Sequence, residues 1–266
     1  MTPSTIRNKR VKSKKQKATA TLCAVAFWLL VWHIASVAVG SEIILVSPLG
    51  VVRTLFDVVR DPAFLPPVGY SAVRIIGGFF IAMALGVVLG WVSSRFWIVE
   101  TLLRPITAVI KATPVASIII LMLYVLGKSA VPMVASLLMV IPIVFVNVRR
   151  GIDSVPASER EVAQVYGFGF GKRLRYLTLP SVLPYFSAAC RSALGLAWKA
   201  GVAAEVICTP KNSIGGKLYD AKIYLESEEL YAWTIVVILL SVLIEKVFVL
   251  ALDRLSRKGG VSGAEA

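Results

Sequence analysis

The stretch Glu161–Pro180, EVAQVYGFGFGKRLRYLTLP, is a long polar, charged interval in the C-terminal half of a chain that is otherwise mostly apolar. Glu161 and Ala163 open a piece with helical character. Gly167 then offers a backbone that can end the helix or admit a close neighbour. Lys172, Arg173 and Arg175 follow, and Leu179-Pro180 closes the interval just before the next apolar run. Proline suits the first turn of a helix, where its missing N–H has no partner to lose.

Apolar runs flank this interval on both sides. Over 266 residues, hydrophobic types make up 57%, and the mean hydropathy of +0.78 is too high for an ordinary soluble domain. The net charge is nevertheless +14. Both facts hold together if the basic residues flank membrane spans and face anionic lipid on one side. A nucleic-acid binder is excluded, because the basic residues sit between apolar runs rather than on one folded face. Cys23, Cys190 and Cys208 are isolated in or beside apolar runs. Their spacing fits neither a zinc site nor a disulfide framework, and small buried thiols are the expectation.

Taken in order, residues 1–21 read as a basic tail, disordered at the inner membrane surface. Apolar runs at 21–39, 73–92, 106–126, 131–148, 185–208 and 231–252 are each about 18–24 residues, enough to cross the bilayer. The fold class is therefore an all-α integral membrane protein of about six transmembrane helices. The first run is long for a signal sequence and reads as an uncleaved anchor. Residues 253–266 form a short second tail. The third run is interrupted by Pro114, and a tight turn at Gly127–Ala130 pairs it with the fourth as an antiparallel hairpin. Gly78, Ala82, Gly86 and Gly90 recur every fourth residue, as do Ala189, Ala193, Ala197 and Gly201. Each series makes a smooth stripe on one helix face, where another backbone can approach closely.

The distribution of charge orients the chain. Arg149, Arg150, Arg160, Lys172, Arg173 and Arg175 fall in the loop 149–184, on the same side as the basic tail. The segments between alternate spans are poorer in Lys and Arg. By the positive-inside rule the loop and both termini are cytoplasmic. Charges within the spans mark functional candidates. Arg74 and Glu205 are placed to pair near the outer side. Lys199 lies near mid-membrane without an evident mate; facing a cavity, it would attract an anionic solute, and the alternative is an unseen pair or a snorkelling role. Lys199 and Glu205 are thus the candidate translocation-path residues.

No energy-converting motif accompanies them. A phosphate-binding loop needs Gly, four residues, then Gly-Lys-Ser/Thr. Gly171-Lys172 is the nearest match, but Tyr166 holds the first Gly position and Arg173 the Ser/Thr position. GFGFGK therefore reads as a flexible turn. No catalytic triad, carboxylate pair or metal-spaced cluster is present in the sequence, so the chain itself reads as a transport subunit and not an enzyme, with no cofactor of its own.

The interval 161–180 resembles the EAA loop of permease subunits from ATP-binding-cassette importers. That motif has Glu-Ala-Ala, three residues, then Gly, and it ends in an apolar residue, any residue and Leu-Pro. Glu161, Ala163, Gly167, Leu177, Leu179 and Pro180 hold the matching positions, with Val162 replacing the middle Ala. Leu183–Ile207 also resembles the nitrate, sulfonate and taurine importer branch. The resemblance implies a type I importer permease fold in a bacterial plasma (inner) membrane. It implies docking of the loop, through Glu161, Ala163 and Gly167, on separate ATPase subunits (two) that bind ATP-Mg, with Leu179-Pro180 anchoring the loop to the fifth span. A second permease copy, as a homodimer, and an extracytoplasmic solute-binding protein are the other implied partners, besides the lipid bilayer. The segment around Gly215 and Gly216 would border the route on the outer side. The implied solute is a small anion such as a sulfonate, taurine or nitrate. The rival reading is an ion-gradient-driven secondary transporter that needs no ATPase.

Overall fold

The computed structural model describes residues 14–258. Within them the chain is helical, and the elements follow the apolar runs with informative exceptions. The first helix, α1 (Lys14–Val39), starts inside what the sequence reading assigned to a disordered tail. Lys, Gln and Ala there are strong helix formers with no Gly or Pro among them, so the first span continues backward through its own basic lead. The earlier part of that tail lies outside the described residues, as do the last residues of the C-terminal one.

An amphipathic helix, α2 (Pro48–Arg60), follows, capped by the Ser47 side chain. Then α3 (Leu65–Arg95) carries the second predicted span. The predicted inner loop 93–104 is nearly absent: a single extended residue, Phe96, separates α3 from α4 (Trp97–Ala112). The third predicted span is broken. Helices α4 and α5 (Val115–Leu126) meet at 107° across Thr113-Pro114, so neither continues the other. Proline disfavours helical geometry in the residue before it, and Thr113 is extended (φ −80°, ψ 133°). Gly127, at φ +73°, makes the sharp turn into α6 (Val131–Asp153), whose interior Pro142 leaves it unbroken.

Beyond the loop described below come α9 (Leu179–Cys208), α10 (Ile214–Ile223) and α11 (Ser227–Lys258). The last helix runs past Leu252 into the predicted tail. Among the described residues, four helices (α1, the α3 region, α6 and α11) are long and apolar enough to cross a membrane, and the bent α4–α5 pair makes a fifth candidate. α9 is equally long but is not among them; it carries Arg191, Lys199 and Glu205.

Helix α6 is the centre of the bundle, packed between α3 and α9. The small-residue stripes explain the fit. A Cβ on Gly78 would lie 2.4 Å from the Met133 carbonyl oxygen, and those on Gly86 and Gly90 would strike the Val144 and Val148 side chains. The second stripe, Ala189, Ala193, Ala197 and Gly201, is buried throughout. Around them Phe79, Val140, Val144, Val148, Leu194 and Ala197 form one core cluster. Ile75, Trp198, Ile214 and Trp233 form another nearer the α10 end. Ser136 Oγ donates to the Ile75 carbonyl (3.0 Å), a polar clasp between α3 and α6. Helices α1 and α11 leave Leu22, Trp28, Ile34, Leu239 and Leu243 exposed, as lipid-facing surfaces do. Cys190 and Cys208 are buried as expected. Cys23 is not: it lies exposed on α1, among those lipid-facing side chains.

Candidate coupling loop and buried polar hub

At the start of α9 the motif interval folds into a short helix, a turn and a widened helical segment. Helix α7 (Ala157–Val165) begins after Pro156, and Glu159 in its first turn complements the helix dipole. It ends in a Schellman cap: Phe168 N–H donates to the Ala163 carbonyl (2.8 Å), and Gly167 N–H to that of Gln164 (3.1 Å). Gly167 takes φ +63°, the left-handed geometry this cap requires, and nothing lies within 4 Å of where its Cβ would stand. Its glycine is needed for conformation, and the space beside it is open.

Arg160 reaches back to the Ile152 and Asp153 carbonyls (3.1 and 3.4 Å), fixing α7 to the C-terminal end of α6. Ala163 faces inward and is 1% exposed. It borders a groove of about 210 Å³ with Ser158, Glu159, Val162, Phe168 and Leu177. Glu161 and Gly167 are exposed. Beside them the loop presents apolar side chains to the outside: Val165 is 85% and Tyr166 75% exposed, and Phe170 and Tyr176 also stand out. The motif names Ala163 but not these neighbours; their signal in the sequence is apolar residues set into an otherwise charged interval.

Next come α8 (Phe170–Arg173) and a π-helical turn over Leu174–Thr178, running directly into α9. Phe170 meets Trp91 of α3 edge-on, with centroids 6.2 Å apart. Leu179 is exposed and Pro180 half-buried at the first turn of α9. Pro180 and Pro184 each lack an N–H for the preceding turn and crowd the carbonyl four residues back. A widened turn just before them relieves that crowding. Of the GFGFGK stretch, Gly167 turns, Gly169 is extended, and Gly171 is already helical.

The far end of α9, about 39 Å away along the helix axis, is a different kind of site. Glu205 is fully buried. Its Oε2 accepts from Ser71 Oγ of α3 (2.7 Å) and from Gly215 N–H at the start of α10 (3.2 Å). Ser71 Oγ accepts in turn from Ile214 N–H (2.9 Å). Arg74 Nη1 lies 3.9 Å from Glu205 Oε1, the pair foreseen from the sequence, and Arg74 Nη2 donates to the Lys211 carbonyl (3.2 Å). Glu205 thus lines no open space; it ties α3, α9 and α10 together. Ser71 was missed, since one serine in an apolar run carries no local signal.

Lys199 lies on an exposed face of α9 with Leu196 and Ala203, and it makes none of the ion pairs found among the described residues. Two further clusters were not legible beforehand. Arg149, near the end of α6, pairs with Glu100 of α4 and with Asp153 (3.4 Å). Beside α10, a pocket of about 400 Å³ gathers Glu42, Glu226, Glu228 and Glu229, with Thr54 donating to Glu228 (2.8 Å). The Glu226 carboxyl is pushed above its ordinary range, chiefly by sharing a hydrogen bond with Glu229 and further by some desolvation and the charge on Glu229.

A bundle of long apolar helices, joined through Leu179-Pro180 to a polar loop at one end, has the architecture of a helical membrane protein. The family model for the inner membrane component of binding-protein-dependent transport systems matches residues 82–259, and the chain belongs to that family. It is a permease subunit of an ATP-binding-cassette importer, a membrane transport component that works with an ATPase and a solute-binding protein. Its relatives include the putative aliphatic sulfonates transport permease SsuC of Bacillus subtilis, 25% identical over 80% of this chain and 76% of that one. The nitrate import permease NrtB of Synechococcus elongatus is 27% identical over 82% of each chain. A bicarbonate transport permease, CmpB, from the same organism is 29% identical over 57% of this chain and 55% of its own. Among solved structures, a bacterial ABC transporter involved in import of the acidic polysaccharide alginate matches with a TM-score of 0.58. It covers 91% of this chain and 95% of that one at 13% identity, a likeness of fold alone.

Proposed function

We propose that the loop 149–184 faces the cytoplasm and that α7 is the element on which the ATPase docks. The observation that carries this is the exposed apolar strip Val165–Tyr166 on a helix held rigid by Arg160 and by the Gly167 cap. An apolar strip on a charged loop is what a partner surface covers. Glu161 and Gly167 belong to the contact face; Ala163 serves it from beneath as the seat of α7. Leu179-Pro180 joins the loop to α9 through the π turn.

The working assembly is two copies of this chain with two ATPase subunits that bind ATP-Mg, and a solute-binding protein on the outer side. Both termini are cytoplasmic, and the bent α4–α5 pair and α9 complete six crossings. The solute is a small anion. The relatives' named solutes, sulfonates, nitrate and bicarbonate, support that class, and Lys199 on the exposed face of α9 supplies a positive charge beside the route. Co-purification of the ATPase with Tyr166→Asp tests docking: the expected result is loss of the ATPase with normal insertion of the permease, and full retention would contradict it. In proteoliposomes holding the whole transporter, Lys199→Gln is expected to slow nitrate or alkanesulfonate uptake, with ATP-driven transport otherwise intact.

A further inference from the structure

We infer that Glu205 is a positioning residue for transport: it holds α10 at the outer mouth and forms, with Arg74, a latch between α3 and α9. This rests on the reading that the α10 end of the bundle is extracytoplasmic. Three features support it. The first amides of α10 converge on one carboxyl group, Gly215 directly and Ile214 through Ser71, so a buried acidic side chain occupies the positive end of that helix. Gly215 presses so closely that a Cβ there would stand 2.3 Å from Glu205 Cβ, which leaves α10 a single seat on α9.

The third feature is an incomplete bond. Glu205 Oε1 and Arg74 Nη1 are both buried, and neither has a hydrogen-bond partner among the described residues. They stand 3.9 Å apart, whereas a charge-assisted contact closes at about 2.7–2.9 Å. A shift of the Arg74 guanidinium by about one ångström makes that bond. The pair therefore has two nearby arrangements, open as here and closed, while Ser71 and Gly215 keep the carboxylate in place throughout. A permease that alternates between two states needs such an element where its outer helices meet.

The test uses the whole transporter, with its ATPase and solute-binding protein, in proteoliposomes. ATP hydrolysis is measured with and without the binding protein, and amide hydrogen exchange is followed at residues 214–217. For Glu205→Gln, which keeps the size and an acceptor but loses the charge, basal hydrolysis is expected to hold. Stimulation by the binding protein should fall roughly fivefold, and exchange in 214–217 should speed up roughly tenfold as the charge-assisted contacts are lost. Arg74→Gln, at the rim of the hub, should lose stimulation while leaving the 214–217 amides protected, a split that a purely structural role for the cluster would not produce. If Glu205→Gln fails to assemble, Arg74→Gln alone decides. Stimulation within twofold of wild type in either assembled variant overturns the inference. A wild-type transporter that the binding protein does not stimulate would instead count against the orientation on which it rests.

Discussion

The two ends of α9 solve opposite problems. At its C-terminal end a buried carboxylate is enclosed by Ser71, Arg74 and the first amides of α10, and Gly215 is packed hard against it. At its N-terminal end the loop turns apolar side chains outward, and Gly167 faces open space. One end is closed by groups of the chain itself; the other, on the proposed reading, is covered by a partner. The same residue type therefore carries different constraints at the two ends: Gly215 excludes a side chain by contact, Gly167 by backbone conformation.

The largest effect should come from breaking the closed end. Gly215→Ala drives a methyl group into the α9 backbone and should cost about 1–3 kcal/mol, read as a lower Tm of the detergent-purified chain; an unchanged Tm would mean that α10 is not tightly seated. At the open end, Val165→Asp should leave Tm within about 0.5 kcal/mol of wild type yet weaken ATPase binding roughly tenfold, equivalent to about 1.4 kcal/mol. Gly167→Ala separates conformation from contact. It should cost about 1 kcal/mol for a left-handed non-glycine residue, and Gly167→Asn, which tolerates that geometry, should recover most of it. If Gly167→Asn restores stability but not ATPase binding, close approach of the partner is shown to matter as well.

The smallest effect concerns pH at the pocket beside α10. The folded-state pKa of Glu226 is raised, so the proton it holds favours the folded state at low pH. That stability is fully present below the ordinary carboxylate range, near 4.3, and is lost as pH rises through the raised value. Glu226→Gln should therefore raise Tm slightly at pH 7, and the gain should vanish as pH falls below about 4. A gain that persists at low pH would remove proton sharing with Glu229 as its cause.

The apolar runs and the stripes through Gly78 and Ala189 were legible because burial in a helix repeats with the helix period, and the repeat survives in the sequence. The Arg74–Glu205 pair was legible because charge within a span demands an answer. What the sequence left hidden depends on neighbours distant in the chain. Pro114 marked an interruption, but the 107° bend is set by how α5 packs beside α9 and α6. The inner loop shrank to Phe96 because polar residues such as Ser93 and Ser94 satisfy their hydroxyls on carbonyls of their own helix, Gly90 and Trp91, and so do not stop it. At the candidate coupling loop the motif identified positions but not sides: Ala163 is on the buried face of α7, and the outward face belongs to Val165 and Tyr166, residues outside the pattern.

The central claim is that α7 projects into the cytoplasm and is covered there by the ATPase. The most direct measurement is labelling of Tyr166→Cys, with the three native cysteines replaced by serine, using a membrane-impermeant maleimide. The account predicts reaction in inside-out vesicles only, and protection once the ATPase subunits are assembled. Reaction from the outer face, or labelling that the ATPase leaves unchanged, would contradict it.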